Sequence, residues 1–237
     1  MDGKKVFLII PAYNEEKRIL LVLEKYSRLG KKRFEMIVSS QSDDATDIIV
    51  NDFSAKNRHV HLIKDSGRGK GSNIINGISY ALRKAKDNDI IGFVDADGAV
   101  SAEELNRMAN LLSKGTMDGV IGSRYLDGSD TQGIGLWRTI LSRSYNKIIR
   151  SAGLDYADTQ CGAKFFRAKS LKKIHGRIFE KGWVIDLNLL LEMKRNGFRV
   201  AEIPIKYRHV KNDSKVNAFT AVAVFAETVR YLMGMKP

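Results

Sequence analysis

The chain has 237 residues, 43% hydrophobic and 8% aromatic, enough to bury one sizeable core. Its single cysteine, Cys161, excludes an intramolecular disulfide and fits a reducing compartment. Lysine and arginine total 40 against 27 aspartates and glutamates, and the formal charge of +13 calls for an anionic partner: nucleic acid, an anionic membrane surface or phosphorylated small molecules. The first 125 residues then alternate regularly. Apolar runs at 6–10, 34–38, 59–63, 90–94 and 119–122 read as strands. Between them, helices are expected at 15–29 (Ile19, Leu20, Leu23 and Tyr26 at helical spacing), 46–54, 71–85 (Ile74, Ile75, Ile78 and Leu82 on one face) and 103–112. Such alternation argues for an α/β fold with a mostly parallel sheet and helices on both faces. Beyond it come a glycine-rich polar loop at 128–135, a basic helix at 137–150 and an extended piece at 163–166. A helix at 187–196, a strand at 199–203, a polar loop at 208–215 and a last helix at 218–233 complete the chain, with no internal repeat.

The strand at 90–94 ends in two carboxylates, Asp95 and Asp97, one residue apart. On an extended segment residues i and i+2 share a face, so the two charges repel unless something positive lies between them. A hard divalent cation shared with substrate phosphates is the usual solution, and it suggests nucleotide-diphosphate chemistry; a solvated turn is the alternative. In open α/β sheets ligands bind beyond the carboxyl ends of the strands. That rule gathers 11–15, 39–44, 95–98 and Ser123-Arg124 around one crevice.

The other motifs each have a plain structural reading. Asn14 is a candidate helix N-cap with Glu15 and Glu16 complementing the helix dipole, after the stiff turn Pro11-Ala12-Tyr13. Gly67-Arg68-Gly69-Lys70-Gly71 precedes a helix and suits either a phosphate cradle or a flexible connection; it lacks the P-loop spacing. Arg124 is either a phosphate fork or a solvated surface residue. Cys161 has no histidine near it in sequence and reads as a packed thiol. The four histidines show no zinc spacing, and His209 is the one retained as a phosphate contact. The last helix, with Phe219, Val222, Phe225, Val229 and Leu232 at near-helical spacing, suits docking on the core or lying on a membrane surface.

Basic residues are not interleaved with aromatics and no helix-turn-helix or zinc signature is present, so nucleic acid is not the expected partner. Residues 1–5 are polar, 6–12 are too short for a signal core, and no 18-residue apolar stretch exists. The expectation is a soluble or peripheral cytoplasmic protein.

Taken in order, Pro-Ala-Tyr-Asn-Glu-Glu at 11–16, Gly-Lys-Gly at 69–71, Asp-Ala-Asp-Gly-Ala at 95–99, Gly-Ser-Arg at 122–124, Asp-Thr-Gln-Cys-Gly-Ala-Lys at 158–164, Glu-Ile-Pro-Ile at 202–205 and Ser-Lys at 214–215 are far more specific than any one of them. The series resembles the family 2 inverting glycosyltransferases of GT-A fold, in the branch of dolichyl- and polyprenyl-phosphate sugar synthases. Asp-Ala-Asp-Gly-Ala with Asp-Thr-Gln-Cys-Gly is closest to the dolichyl-phosphate β-glucosyltransferases, since the mannose enzymes tend to carry glutamine where this chain has Ala99.

The resemblance implies one GT-A domain over 1–237, with a Rossmann-like nucleotide-binding half at 1–125 and an acceptor-side half at 126–237 that ends in an amphipathic helix. It implies transfer of a sugar from a nucleotide-sugar donor, UDP-glucose first and GDP-mannose next, to a polyprenyl or dolichyl phosphate at the cytoplasmic membrane face. Asp95 and Asp97 would hold Mg²⁺ or Mn²⁺ on the donor diphosphate, with Ala96 near the ribose. Pro11, Ala12, Tyr13, Glu15 and Ser40 would border the nucleoside, while Lys70, His209, Ser214 and Lys215 would meet phosphate. Arg124 and Arg138 would face donor or acceptor phosphate, and Gln160 and Asp186 would lie near the sugar. A lipid phosphate is already an anionic nucleophile, so cationic side chains matter more than a strong base. Two other readings remain: a soluble glycan acceptor, which would need Asp158 or Asp186 as base, and a non-catalytic nucleotide-sugar-binding protein. The chain departs from the family at Ser39-Ser40, where an aspartate pair is usual, and at Asn188, His209 and Asn212.

Overall fold

The computed structural model describes residues 4–64, 67, 69–133, 145–146, 149–150, 153–208 and 218–234, with the side chains of 218–222 excepted. Strands β1 (Val6–Ala12), β2 (Phe34–Ser40), β3 (Val60–Lys64), β4 (Ile90–Phe93), β5 (Gly119–Ser123), β7 (Lys164–Arg167) and β8 (Val200–Pro204) form one sheet in the order β3-β2-β1-β4-β7-β5-β8. Every neighbouring pair is parallel except those of β7, which runs antiparallel between β4 and β5. Strands β6 (Asp130–Gln132) and β9 (Lys206–Arg208) pair in a second, two-stranded sheet. Helices α1 (Ile19–Tyr26), α2 (Thr46–Lys56), α3 (Lys70–Leu82), α4 (Ala102–Lys114), α5 (Ala168–Ile174), α6 (Ile185–Arg195) and α7 (Ala218–Leu232) complete the fold.

Strict alternation along β1 divides the core. Val6, Leu8 and Ile10 turn to one side, where they meet Leu23 and Tyr26 of α1, Val50 of α2, and Leu105 and Met108 of α4. Phe7 and Ile9 turn to the other, where Ile74 and Ile78 of α3, Leu171 of α5 and Leu187 and Leu190 of α6 cover them. The expected α/β sheet with helices on both faces is therefore present, and it is the GT-A arrangement. Where a strand passes under an aromatic ring, glycine is required: a Cβ on Gly92 of β4 would lie 2.3 Å from Phe165 Cδ1 of β7.

Several expected boundaries move. The first helix is shorter than 15–29 because residues 16–18 form a turn, and Asn14 does not cap it. Asn14 instead adopts φ 51°, and its Oδ1 accepts a hydrogen bond from Asp43 N at 2.9 Å. A short polar side chain that bonds locally is what tolerates the left-handed region. The cap that does form is Ser101, whose Oγ accepts from Glu104 N at 3.2 Å at the start of α4. The polar loop expected at 128–135 contains β6, helix α5 was not anticipated, and of the basic stretch 137–150 only residues 145–146 and 149–150 are described, all four helical.

Gly92→Ala should lower the unfolding free energy by about 1–3 kcal/mol in urea titration, the usual cost of forcing volume into a packed core. Gly30→Ala, with nothing within 4 Å of the added Cβ, serves as the neutral control.

Candidate active site

The carboxyl ends of β1, β2 and β4 open on one side of the sheet. Because β7 is antiparallel, its first residue lies there too: Lys164 is in register with Phe93 of β4 and Ile121 of β5. The antiparallel strand is thus what delivers the 158–164 motif to Asp95 and Asp97. The approach is close. A Cβ on Gly162 would sit 2.1 Å from Asp95 Oδ2, so only glycine lets this loop back the carboxylate.

Four charged side chains form a chain of pairs across the site. Lys164 is fully buried, and its Nζ donates to Cys161 O at 2.6 Å and to Asp186 Oδ1. Asp186, in the first turn of α6, turns its other oxygen to Lys70 Nζ at 3.6 Å, and that oxygen has no hydrogen bond among the described residues. Lys70 Nζ donates to Asp95 Oδ1 at 2.8 Å and lies 5.8 Å from the Trp183 ring. Burial opposes the Asp95 charge, but the Lys70 ammonium, with Lys164 and Arg124 further off, holds that carboxyl below its ordinary range. Asp97 is pushed the other way, first by burial and then by the Asp95 charge. It accepts hydrogen bonds from Ala99 N at 2.9 Å and Tyr207 OH at 3.4 Å.

The glycine motif before α3 proves to be an interlock. Gly71 N and Ser72 N donate to the carbonyls of Gly182 and Lys181, each at 3.1 Å. A Cβ at Gly71 would fall 2.2 Å from Glu180 O, and Gly69 has φ +110°. Those two amides of the helix N-terminus are spent on backbone, so the connection is a packed junction, not a flexible one, and it aims Lys70 at the carboxylates. Arg68 lies outside the described residues.

Arg124 is neither a free fork nor solvated. Its Nε and Nη2 donate to Asp158 Oδ2 and Oδ1 at 2.7 and 2.8 Å, and its own N–H donates to Oδ2 at 3.0 Å, with both side chains buried. Glu202 of β8 holds the loop in place by accepting from Ala157 N and Asp158 N at 2.8 and 2.7 Å. Sequence reasoning used Arg124 and Asp158 separately; only the register of β5, β7 and β8 joins them. Burial pushes the Cys161 thiol up to about 12, which fits its reading as packing.

On the β1–β2 side, Ala12 is buried while the Tyr13 side chain is 52% exposed. Ala12 and Ser40 are register partners, and Asn73 of α3 donates to Ala12 O at 3.0 Å. Pro11 is partly buried, and the Glu15 carboxylate is taken by Arg18. Where the family usually has an aspartate, Ser40 Oγ donates to Asp47 Oδ1 at 2.5 Å, so a carboxylate from α2 returns to the end of β2. Ala96 is buried beside the pair, and Gln160 Nε2 donates to Tyr145 OH at 3.3 Å. Asn188 accepts from Phe179 N and Glu180 N at 2.9 and 3.3 Å and donates to Tyr231 OH at 3.0 Å, joining α6 to α7. Arg138, His209, Asn212, Ser214 and Lys215 lie outside the described residues. The sequence reading missed Lys164, Gly162 and Tyr207 as site residues, although the first two stand in the 158–164 motif.

Removing one partner of the buried Arg124–Asp158 fork should be expensive. Asp158→Ala is expected to lose about 3–5 kcal/mol of stability, and the double variant with Arg124→Met should recover part of it, read by chemical denaturation.

The profile of "Glycosyl transferase family 2" matches residues 7–175. Among characterised relatives, the polyprenol monophosphomannose synthase of Mycolicibacterium smegmatis is 28% identical over 208 residues, covering 86% of this chain and 77% of that protein. The dolichyl-phosphate beta-glucosyltransferase of Saccharomyces cerevisiae is 28% identical over 265 residues, covering 99% and 78%. Among solved structures, glucosyl-3-phosphoglycerate synthase from Mycobacterium tuberculosis, in complex with phosphoglyceric acid, superposes with a TM-score of 0.74 at 18% identity, over 99% of this chain and 82% of that one. The match spans more than half of the chain, and strands β2 to β5 with both carboxylates fall inside it: this protein is a glycosyltransferase of family 2.

Proposed function

We propose that the chain transfers a sugar, with inversion, from a nucleotide-sugar donor to a polyprenyl or dolichyl phosphate, within a single GT-A domain over 1–237. UDP-glucose is the favoured donor and GDP-mannose the next. The observation that carries the acceptor class is the state of Asp158 and Asp186. A hydroxyl acceptor needs a carboxylate base, but Asp158 is forked to Arg124 and Asp186 is buried against Lys164 and Lys70. A phosphate nucleophile needs no such base, only cations that hold two anions in line. The named activities of the mycobacterial and yeast relatives support the same reading.

Asp95 and Asp97 fit a hard divalent cation. Both supply oxygen, and they lie one residue apart at a strand end. Among the described residues no third His, Cys, Asp or Glu joins them in a metal-holding group, and the donor diphosphate would supply further oxygen ligands. The ion, Mg²⁺ or Mn²⁺, would stabilise charge developing on the leaving diphosphate. Pro11, Ala12, Tyr13 and Ser40 would border the nucleoside, and Ala96 the ribose. Gln160 would reach towards the sugar. Arg124 and Asp186 act through their partners, the first fixing the 157–163 loop and the second placing Lys70 and Lys164.

Membrane contact is read from α7. Thr228 is buried and bonded to Tyr145 OH at 2.8 Å, so one side of the helix docks on the core. Phe225 at 46%, Leu232 at 38% and, just past the helix, Met233 at 71% remain exposed. No helix among the described residues is long and apolar enough to cross a membrane. An apolar face on a chain of charge +13 suits peripheral attachment to anionic lipid.

A screen of radiolabelled nucleotide sugars against polyprenyl phosphates with Mg²⁺ or Mn²⁺ should give a lipid-soluble product with one donor; a product only with a glycan acceptor would refute the reading. Asp95→Ala and Asp97→Ala should each lower transfer about a hundredfold or more. In sedimentation with phosphatidylcholine–phosphatidylglycerol vesicles, Phe225→Asp with Met233→Asp should release the protein, whereas unchanged binding would remove α7 from the membrane face.

A further inference from the structure

Lys70 is placed with unusual care for one lysine. It opens α3, where two glycines, Gly69 and Gly71, abut the backbone of 180–182 so closely that neither position accepts a Cβ. Its side chain is only 13% exposed, and its ammonium lies 2.8 Å from Asp95 Oδ1 and 3.6 Å from Asp186 Oδ2. Lys164, by contrast, is anchored twice, by Cys161 O and Asp186 Oδ1. Of the two ammonium groups, Lys70 is therefore the one that both touches the candidate metal carboxylates and has a second anion waiting. Asp186 Oδ2 is buried, has no hydrogen bond among the described residues and faces Lys70. A buried carboxylate oxygen left in that state is costly, which makes it a ready destination for a displaced ammonium.

We propose that Lys70 is the built-in counter-ion of the carboxylate pair: it holds Asp95 Oδ1 while the donor is absent and yields that oxygen to the divalent cation when cation and diphosphate arrive together, moving its charge towards Asp186. The proposal rests on the reading of Asp95 and Asp97 as metal ligands. Its physical basis is competition. Two positive charges within a few ångströms of one carboxylate repel, so the ammonium keeps affinity for the bare cation low until the diphosphate supplies further negative charge. Metal and nucleotide binding then become coupled, and the coupling is reciprocal. Lys70 is thus a positioning residue that imposes joint entry of metal and donor.

The test measures Mn²⁺ binding by electron paramagnetic resonance titration of the full chain, with and without UDP. Wild type should bind Mn²⁺ weakly alone and more tightly with UDP. Lys70→Met should bind Mn²⁺ without UDP about tenfold more tightly than wild type, while Lys70→Arg, which keeps the charge, should behave as wild type. Lys70→Gln provides a second neutral variant should the methionine disturb folding, and thermal melts confirm that each variant is folded. If wild type binds Mn²⁺ with UDP but neither neutral variant gains affinity without it, the counter-ion role is overturned and the metal reading stands. If no Mn²⁺ binds even with UDP, the metal reading itself fails and takes this inference with it.

Discussion

Asp95 and Asp97 follow β4 with one residue between them, and two like charges at the end of a buried strand must be neutralised before the fold can close around them. The rest of the site is organised by that demand. Lys70 is brought in from α3, Asp186 from α6 balances Lys70, and Lys164 from β7 balances Asp186. Helices α3 and α6 on one face of the sheet and strand β7 within it thus each contribute one charge to a single alternating series. A series of this kind is stable only when every member is paired, because an isolated buried charge costs far more than its pair returns.

The same logic separates the residues that hold the site from those left to act. Arg124 and Asp158 satisfy each other in a buried fork, and Glu202 anchors the loop beneath them. These side chains set the distance between β5 and the 158–164 loop, and through Gly162 they set the backing of Asp95. At the strand ends beside the crevice stand Tyr13, whose side chain is exposed, the Asp95–Asp97 pair and the Lys70 ammonium bonded to it. The protein's positive charge is not spread evenly in function. Inside the site it is spent on carboxylates: Lys70 on Asp95, Lys164 on Asp186 and Arg124 on Asp158.

Much of this was legible in the residues. The alternation of apolar runs with helical periodicities is a local property, so the first five strands and the helices between them were placed within a few residues. The ordering of short motifs was specific enough to reach the family, and the strand-end rule put Pro11, Ser40, Asp95 and Arg124 around one crevice. Local reasoning failed where two local solutions compete. Asn14 has the chemistry of a helix cap but uses its side chain on the neighbouring loop, and Ser101 takes the capping role further along. A glycine-lysine-glycine run before a helix suits a phosphate cradle or a flexible connection, and only the packing of 180–182 against it shows that the amides of Gly71 and Ser72 are bonded to backbone.

The sequence by itself determined the layers of the sheet, the carboxylate pair and the family, because periodicity and motif order are written along the chain. Tertiary structure decided which charge meets which. The antiparallel insertion of β7 between β4 and β5 turns Lys164 and Gly162 towards Asp95, and the docking of α3 against the loop before α6 does the same for Lys70 and Asp186. Those pairings depend on strand direction and register across the sheet. A one-residue slip would send every side chain to the opposite face, so no reading of isolated segments could have assigned them.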